Sequence, residues 1–278
     1  MLLRSVWIGV VVGCGLTAGC PATGRDTDGG GRDGGAVDAA PRDGGRVDGG
    51  PRRDGGRLDA GPRPDGGGGG IVIDGVVSDA EWAGAMMVAN SVATDWGVGL
   101  NALSRLRAVV RDGSLFVAVE GRVESSSGNA ILLYVDNDLP GTAGVADLFS
   151  LVDSTGALDD ALSAGLSTPS GFDADLAWGT RAMGRAAAGF DEDMGWRDVA
   201  ADVGNFSWVD SAEAPTSCGA DACETRIPLS ALGGPSSGTL AMFARIGNAD
   251  GTAFSNQCLP EDMSAMPQSV SVLLEVAH

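Results

Sequence analysis

The feature that most constrains this chain is a break in composition at residue 71. Across residues 21–70, eighteen of fifty positions are Gly and five are Pro, and most of the rest are Asp and Arg. Only Val37, Val47 and Leu58 in that stretch are apolar residues larger than alanine. Such a segment cannot bury enough surface to offset its conformational entropy, so it predicts a disordered linker rather than a domain. A loose repeat of residues 42–48 at 53–59 lacks the apolar residue per turn that a calcium-binding β-roll needs. As a flexible spacer its root-mean-square reach is on the order of 40 Å.

Beyond the break the pattern changes to short apolar runs separated by turn residues. Leu106, Ala108 and Val110 alternate with Arg107, Val109 and Arg111; Asp112-Gly113 marks a hairpin turn, and Leu115, Val117 and Val119 alternate on the return. Further runs of strand length fall at 130–135, 146–152, 225–229, 240–246 and 270–276. Only 158–166 and 180–188 read as short helices. The pattern predicts one all-β domain over 71–278, an antiparallel, jelly-roll-like β-sandwich.

The first twenty residues read as an export address. A basic start at Arg4 precedes an apolar stretch over 6–16, too short to span a bilayer, and then Thr17-Ala18-Gly19-Cys20. Small residues directly before a cysteine resemble a bacterial lipoprotein signal, with Thr17 departing from the usual leucine. The resemblance implies a signal peptide over 1–19, cleavage before Cys20, and a lipidated Cys20 that begins the tether over 20–70. Cys14 offers a rival site after a shorter apolar region, and an ordinary cleaved signal is the plainer alternative. Acyl chains hold a protein on a membrane at about 0.8 kcal/mol per buried methylene without any spanning segment. Pro21, rather than aspartate, follows the cysteine, which by that family's sorting rule implies the outer membrane, facing the periplasm or the cell surface.

Charge and histidine content exclude several classes. The chain has 18 arginines, no lysine and 37 acids, a net charge of −19. Residues 71–278 hold nine of those arginines and 28 of the acids, so the imbalance belongs to the folded part. That surface repels phosphate backbones, and no nucleic-acid partner is expected. The single histidine is His278, which removes catalytic schemes that need a placed imidazole. In an oxidising compartment Cys218, Cys223 and Cys258 predict one disulfide and one remaining thiol. Cys218 and Cys223 flank a four-residue hairpin loop and form the favoured pair, with pairing of either to Cys258 left open. No cysteine spacing suits zinc.

Four motifs carry a family resemblance: Ile73-Asp74-Gly75 leading to Asp79-Ala80-Glu81-Trp82, the hairpin over 112–119, Leu133-Tyr134-Val135-Asp136-Asn137-Asp138, and Glu224-Thr225-Arg226-Ile227-Pro228-Leu229. Together they resemble the family 9 carbohydrate-binding modules and their DOMON-like relatives. The resemblance implies a sandwich, opened by a strand and turn at 73–82, whose members bind sugars, haem or no known ligand. Haem is disfavoured here because the sole imidazole is terminal.

Within that frame Trp82 is expected to pack under a turn. A sugar site needs exposed aromatic faces for the pyranose C–H surface, with polar side chains reading the hydroxyls. Trp96, Trp178, Trp196 and Trp208 are candidates, and Trp178 and Trp196, in Gly-flanked polar sequence, are favoured. Arg245 and Asn248 suit hydroxyl recognition, although Asn-x-Asp-Gly is equally a turn sequence. Asp136, Asp138 and Asp147 offer hard oxygen ligands for a structural calcium, as relatives possess. The reading is a surface-anchored lipoprotein that binds carbohydrate without catalysing its cleavage. The alternatives are an interaction domain with no sugar site, and a glycoside hydrolase or accessory module of carbohydrate catabolism. With 28 acids, paired carboxylates are expected whether or not they act.

Overall fold

The computed structural model describes residues 70–278 apart from 98–99, 125, 127, 142, 151–157, 163–164, 182–193, 201–206, 234–236 and 263–267. The signal peptide, Cys20 and the tether lie outside the described residues. Twelve described strands form two antiparallel sheets packed face to face, a β-sandwich. The first sheet runs β1 (Met86–Ala89), β2 (Ala102–Arg111), β3 (Ser114–Arg122), β9 (Ala222–Pro228), β8 (Thr216–Cys218). The second runs β11 (Phe254–Leu259), β10 (Thr239–Gly247), β4 (Ala130–Asp136), β5 (Leu176–Thr180), β6 (Met194–Asp198), β7 (Ser207–Trp208), with β12 (Leu274–Ala277) also paired to β10.

The β2–β3 hairpin shows why the local sequence folds this way. Asp112 and Gly113 both take positive φ, 51° and 72°, the requirement of a two-residue turn whose twist matches the flanking strands. That turn sets Arg111 opposite Ser114 and Val117 opposite Ala108. Leu106, Ala108, Leu115, Val117 and Val119 then point together into the sandwich, where Ile131, Leu133 and Val135 of β4 meet them. The alternate residues of β4, Leu132 and Tyr134, point the other way into a second cluster with Phe172, Phe243 and α1 (Leu158–Leu162). Because both its faces are covered, β4 is a continuous apolar run rather than an alternating one. Tyr134 stacks on Phe243 with ring centroids 5.3 Å apart and donates its hydroxyl to the Leu162 carbonyl at 2.8 Å.

Residues 71–85 lie over the outer face of the first sheet, where Ile71 and Trp82 cover Phe116 and Ala118. This segment is a chain of turns and holds no strand, so the opening strand implied by the family resemblance is not formed. Three pattern-based expectations also change. In the 146–152 run, Leu148–Ser150 is a 3-10 turn, because Asp147 Oδ1 accepts the Phe149 N–H at 3.1 Å and satisfies locally what a ladder would need. The expected helix over 180–188 begins inside β5, where Thr180 pairs with Ile131; residues from 182 onward in it lie outside the described ones. The run over 270–276 becomes strand only from Leu274. Among the described residues no helix is long and apolar enough to cross a membrane.

Candidate functional site

Trp178 and Trp196 are directly opposed across β5 and β6, and both are 0 % exposed. Their indoles belong to the core between the sheets. Trp178 Nε1 donates to Thr216 Oγ1 at 3.1 Å, and Trp196 Nε1 donates to Thr225 Oγ1 at 2.7 Å. The Thr216 hydroxyl donates to Thr225 Oγ1 at 2.9 Å, and Thr225 donates onward to the Pro215 carbonyl at 3.1 Å. Neither ring presents a face to a sugar, which corrects the expectation drawn from their Gly-flanked sequence. The glycines are strand residues: Gly179 pairs with Gly195, and a Cβ on Gly179 would lie 2.9 Å from the Leu158 side chain. Trp96 is half-buried against the core edge, and Trp208 pairs through its main chain with Arg197.

Arg245 and Asn248 are likewise spent on the fold. Arg245 is 1 % exposed on β10, and its guanidinium donates to the carbonyls of Ser255 (3.2 Å) and Ser269. Asn248 Oδ1 accepts the N–H groups of Thr252 and Ala253 at 3.0 and 3.1 Å, closing the β10–β11 turn. Of the two readings open for these residues, the turn-forming one holds for Asn248, and Arg245 is an interior strap rather than a reader of hydroxyls.

The remaining cluster lies where β4 ends and β5 begins. Val135 pairs with Leu176, so the residues just beyond, Asp136 and Asp175, face each other past the end of the ladder. Asp138, in the turn after β4, joins them, and one carboxylate oxygen from each lies within 4.8 Å of the others. Backbone amides orient two of the three. Asp136 accepts from Asp138 N (3.0 Å) and Asp173 N (3.2 Å), and Asp175 Oδ2 accepts from Asn137 N (2.8 Å). Asp138 Oδ1 is buried with no hydrogen-bond partner among the described residues. Gly141 makes room for this carboxylate, since a Cβ there would fall 2.1 Å from it.

The electrostatics are one-sided. Burial pushes the Asp175 carboxyl up to about 6; the Asn137 N–H opposes this, and the charges of Asp136, Asp138 and Asp198 add to it. Burial also raises Asp136, with the Asp138 and Asp173 N–H groups pulling back and the Asp138 charge adding. Crowded carboxylates of this kind are relieved by a proton or a cation. Three hard oxygens, one of them unpartnered, suit calcium, whose remaining ligands come readily from carbonyls and water. Asp147 is not in the cluster: its carboxylate is turned back onto the Phe149 N–H, so the expected set of Asp136, Asp138 and Asp147 becomes Asp136, Asp138 and Asp175. Nor does the cluster offer a glycosidase pair, because Asp136 is 0 % exposed with both oxygens occupied by main-chain donors.

Glu224 is the functional-looking residue whose role the sequence reading passed over. It is 0 % exposed on β9, accepting Trp82 Nε1 at 2.9 Å on one oxygen and the N–H groups of Gly75 and Asp74 at 2.8 and 3.2 Å on the other. Gly75 has φ 82°, and a Cβ there would lie 2.6 Å from Gly219 N, so only glycine fits this crossing. Beside the clamp, Cys218 and Cys223 form the disulfide, leaving Cys258 as a buried thiol. Desolvation pushes that thiol up to about 11, which leaves it unreactive.

Comparison of this chain with family models, with curated proteins and with solved structures finds no match.

Proposed function

We propose that this protein is a non-catalytic carbohydrate-binding module of the family 9 or DOMON-like kind, displayed from the outer membrane by a lipidated Cys20 and its tether, with a calcium ion held by Asp136, Asp138 and Asp175. The observation that carries the reading is the meeting of two of the resemblance motifs in space. Trp82, from the first, bonds Glu224, from the last, across 142 residues of sequence, and the same carboxylate collects the Gly75 N–H. Two of the motifs thus build one buried hydrogen-bonded clamp on a sandwich of the expected type, which supports the reading. A net charge of −19 favours a neutral glycan over an anionic polymer or surface.

A second reading, an interaction domain with no sugar site, gains from the interior placement of Trp178 and Trp196. A glycan array probed with the purified chain in calcium separates the two. Binding to at least one glycan class, weakened in EDTA, is the expected result; silence across the array with a normal thermal melt favours the interaction domain. For the anchor, palmitate labelling in an exporting host is expected to vanish in Cys20→Ala, and retained label would remove it.

A further inference from the structure

The strap of residues 71–85 is fastened to the first sheet in two separate places. Its later half is held by side chains of three strands. Trp82 Nε1 donates to Glu224 Oε1 at 2.9 Å, Arg107 Nη2 on β2 donates to Asp79 Oδ1 at 2.8 Å, and Arg111 Nη2 reaches the Ala83 carbonyl at 3.1 Å. This half also bonds within itself, from Trp82 N to the Ser78 carbonyl and from Ala85 N to the Trp82 carbonyl, both at 3.1 Å. The earlier half has less. The Asp74 and Gly75 N–H groups share Glu224 Oε2, and an exposed bond runs from Val72 N to Glu81.

The earlier half rests on the disulfide loop. A Cβ on Gly75 would lie 2.6 Å from Gly219 N and 2.8 Å from the Cys218 carbonyl carbon, and one on Gly219 would lie 2.4 Å from the Gly75 carbonyl oxygen. Main chain therefore crosses main chain with no side chain between them. The loop belongs to β8, a three-residue strand at the edge of the first sheet. The root of β8 is fixed by Thr216, which accepts from Trp178 and donates to Thr225. Its tip is tied down by the Cys218–Cys223 bridge and the bond from Gly219 N to the Ala222 carbonyl at 2.8 Å. Glu224 is placed independently of the bridge, because its strand pairs with Ala118 of β3. Cys223 is 1 % exposed, but Cys218 is only half-buried, so a thiol approaches the bridge from the Cys218 side. Cys258 packs in the second cluster, beyond the second sheet, and takes no part in the exchange.

We propose that the Cys218–Cys223 disulfide is a redox-responsive lock on the strap, opened by a dithiol reductant, and that its reduction frees residues 71–77 while the later half stays seated. The reductant's thiolate attacks Cys218 Sγ, the bridge breaks, and Cys223 leaves as a thiolate that takes a proton. The reductant's second thiol then closes its own disulfide and releases Cys218 as a thiol. Two electrons and two protons pass to the protein. The freed β8 tip no longer supports Gly75, and Ile71 withdraws from Phe116 and Ala118, uncovering an apolar strip on the outer face. An opening of this kind is local, because the strands beneath keep their ladders.

The test follows exchange of single N–H groups by NMR in the whole chain, before and after dithiothreitol, with the gain of two hydrogens checked by mass. Reduction is expected to speed exchange at Gly75 N by about tenfold or more, with Trp82 N, Ala85 N, the Trp82 indole and the β4 and β10 amides unchanged. The double variant C218S/C223S is expected to show the fast pattern without reductant; if it does not fold, the reduced parent gives the same reading. A bridge that dithiothreitol leaves intact in the folded chain overturns the proposal. So does unchanged exchange at Gly75 in the reduced chain. Loss of protection at Trp82 or throughout both sheets also overturns it, since the bridge then supports the whole strap or the whole fold.

Discussion

The two ends of the sandwich are built on opposite principles. At the end where β4 finishes and β5 begins, three carboxylates crowd within 4.8 Å, and main-chain N–H groups donate to those of Asp136 and Asp175. At the other end, amides close the loops among themselves. Asn101 Oδ1 accepts from Glu124 N at 2.9 Å and Asn129 Nδ2 at 3.2 Å. Gln257, 0 % exposed, accepts from Asn90 Nδ2 and Leu103 N and donates to the Val92 carbonyl and Asn256 Oδ1. The amide end is complete as it stands, because each amide carries both donors and acceptors. The carboxylates of the acid end are acceptors only, so a proton or a metal ion from outside the chain would relieve their crowding. One end is a finished scaffold; the other is the place where a bound cation would add stability.

The contrast can be broken most sharply at Gln257. Gln257→Ala removes four hydrogen bonds in the interior and strands their partners, and is expected to lower stability by about 3 kcal/mol in urea unfolding, with or without calcium. A loss under about 1 kcal/mol would mean that the amide end does not depend on its own network.

Asp175→Asn should act in the opposite direction. It keeps an acceptor for Asn137 N and removes a buried like charge, so in EDTA near neutral pH it is expected to stabilise the fold by about 1–2 kcal/mol. The parent's pH profile follows from the same residue. Its folded carboxyl is raised to about 6 from an ordinary 3.8, so the folded state binds a proton more tightly than the unfolded chain does. This contribution is fully present below about pH 4 and is lost as pH rises through about 6, at up to about 1.4 kcal/mol per pH unit. In EDTA the parent's melting point is therefore expected to carry a falling component between pH 4 and 7 that Asp175→Asn lacks; parallel profiles would contradict the assignment. The smallest effect is expected at Asp147, which holds only a surface turn: Asp147→Ala should change stability by about 0.5 kcal/mol or less. It should leave any response to calcium intact.

Much of the sandwich was legible in the sequence because its signals are local. The Asp112-Gly113 turn fixes register by backbone conformation alone, and the alternation on either side of it assigns each side chain to a face. The Cys218–Cys223 bridge closes so short a loop that proximity in sequence is proximity in space. The sites were less legible because they depend on pairing between distant strands. Asp175 enters the acid cluster only because β5 pairs with β4, and nothing near residue 175 announces that partner. Trp178 and Trp196 sit in Gly-rich, polar-looking sequence, yet Leu158 comes down over Gly179 and turns that sequence into buried strand. Glu224 stood in plain view within a motif, but its role depends on a crossing with Gly75 that only the folded chain reveals.

The most direct test of the contrast between the ends is a thermal melt of the whole chain at neutral pH, in EDTA and in excess calcium. Ligation at Asp136, Asp138 and Asp175 predicts a higher midpoint in calcium, by the equivalent of about 2–3 kcal/mol at a hundredfold excess over the dissociation constant, and no such gain in Asp175→Asn. Superimposable melts of the parent in the two buffers would contradict a metal-completed acid end.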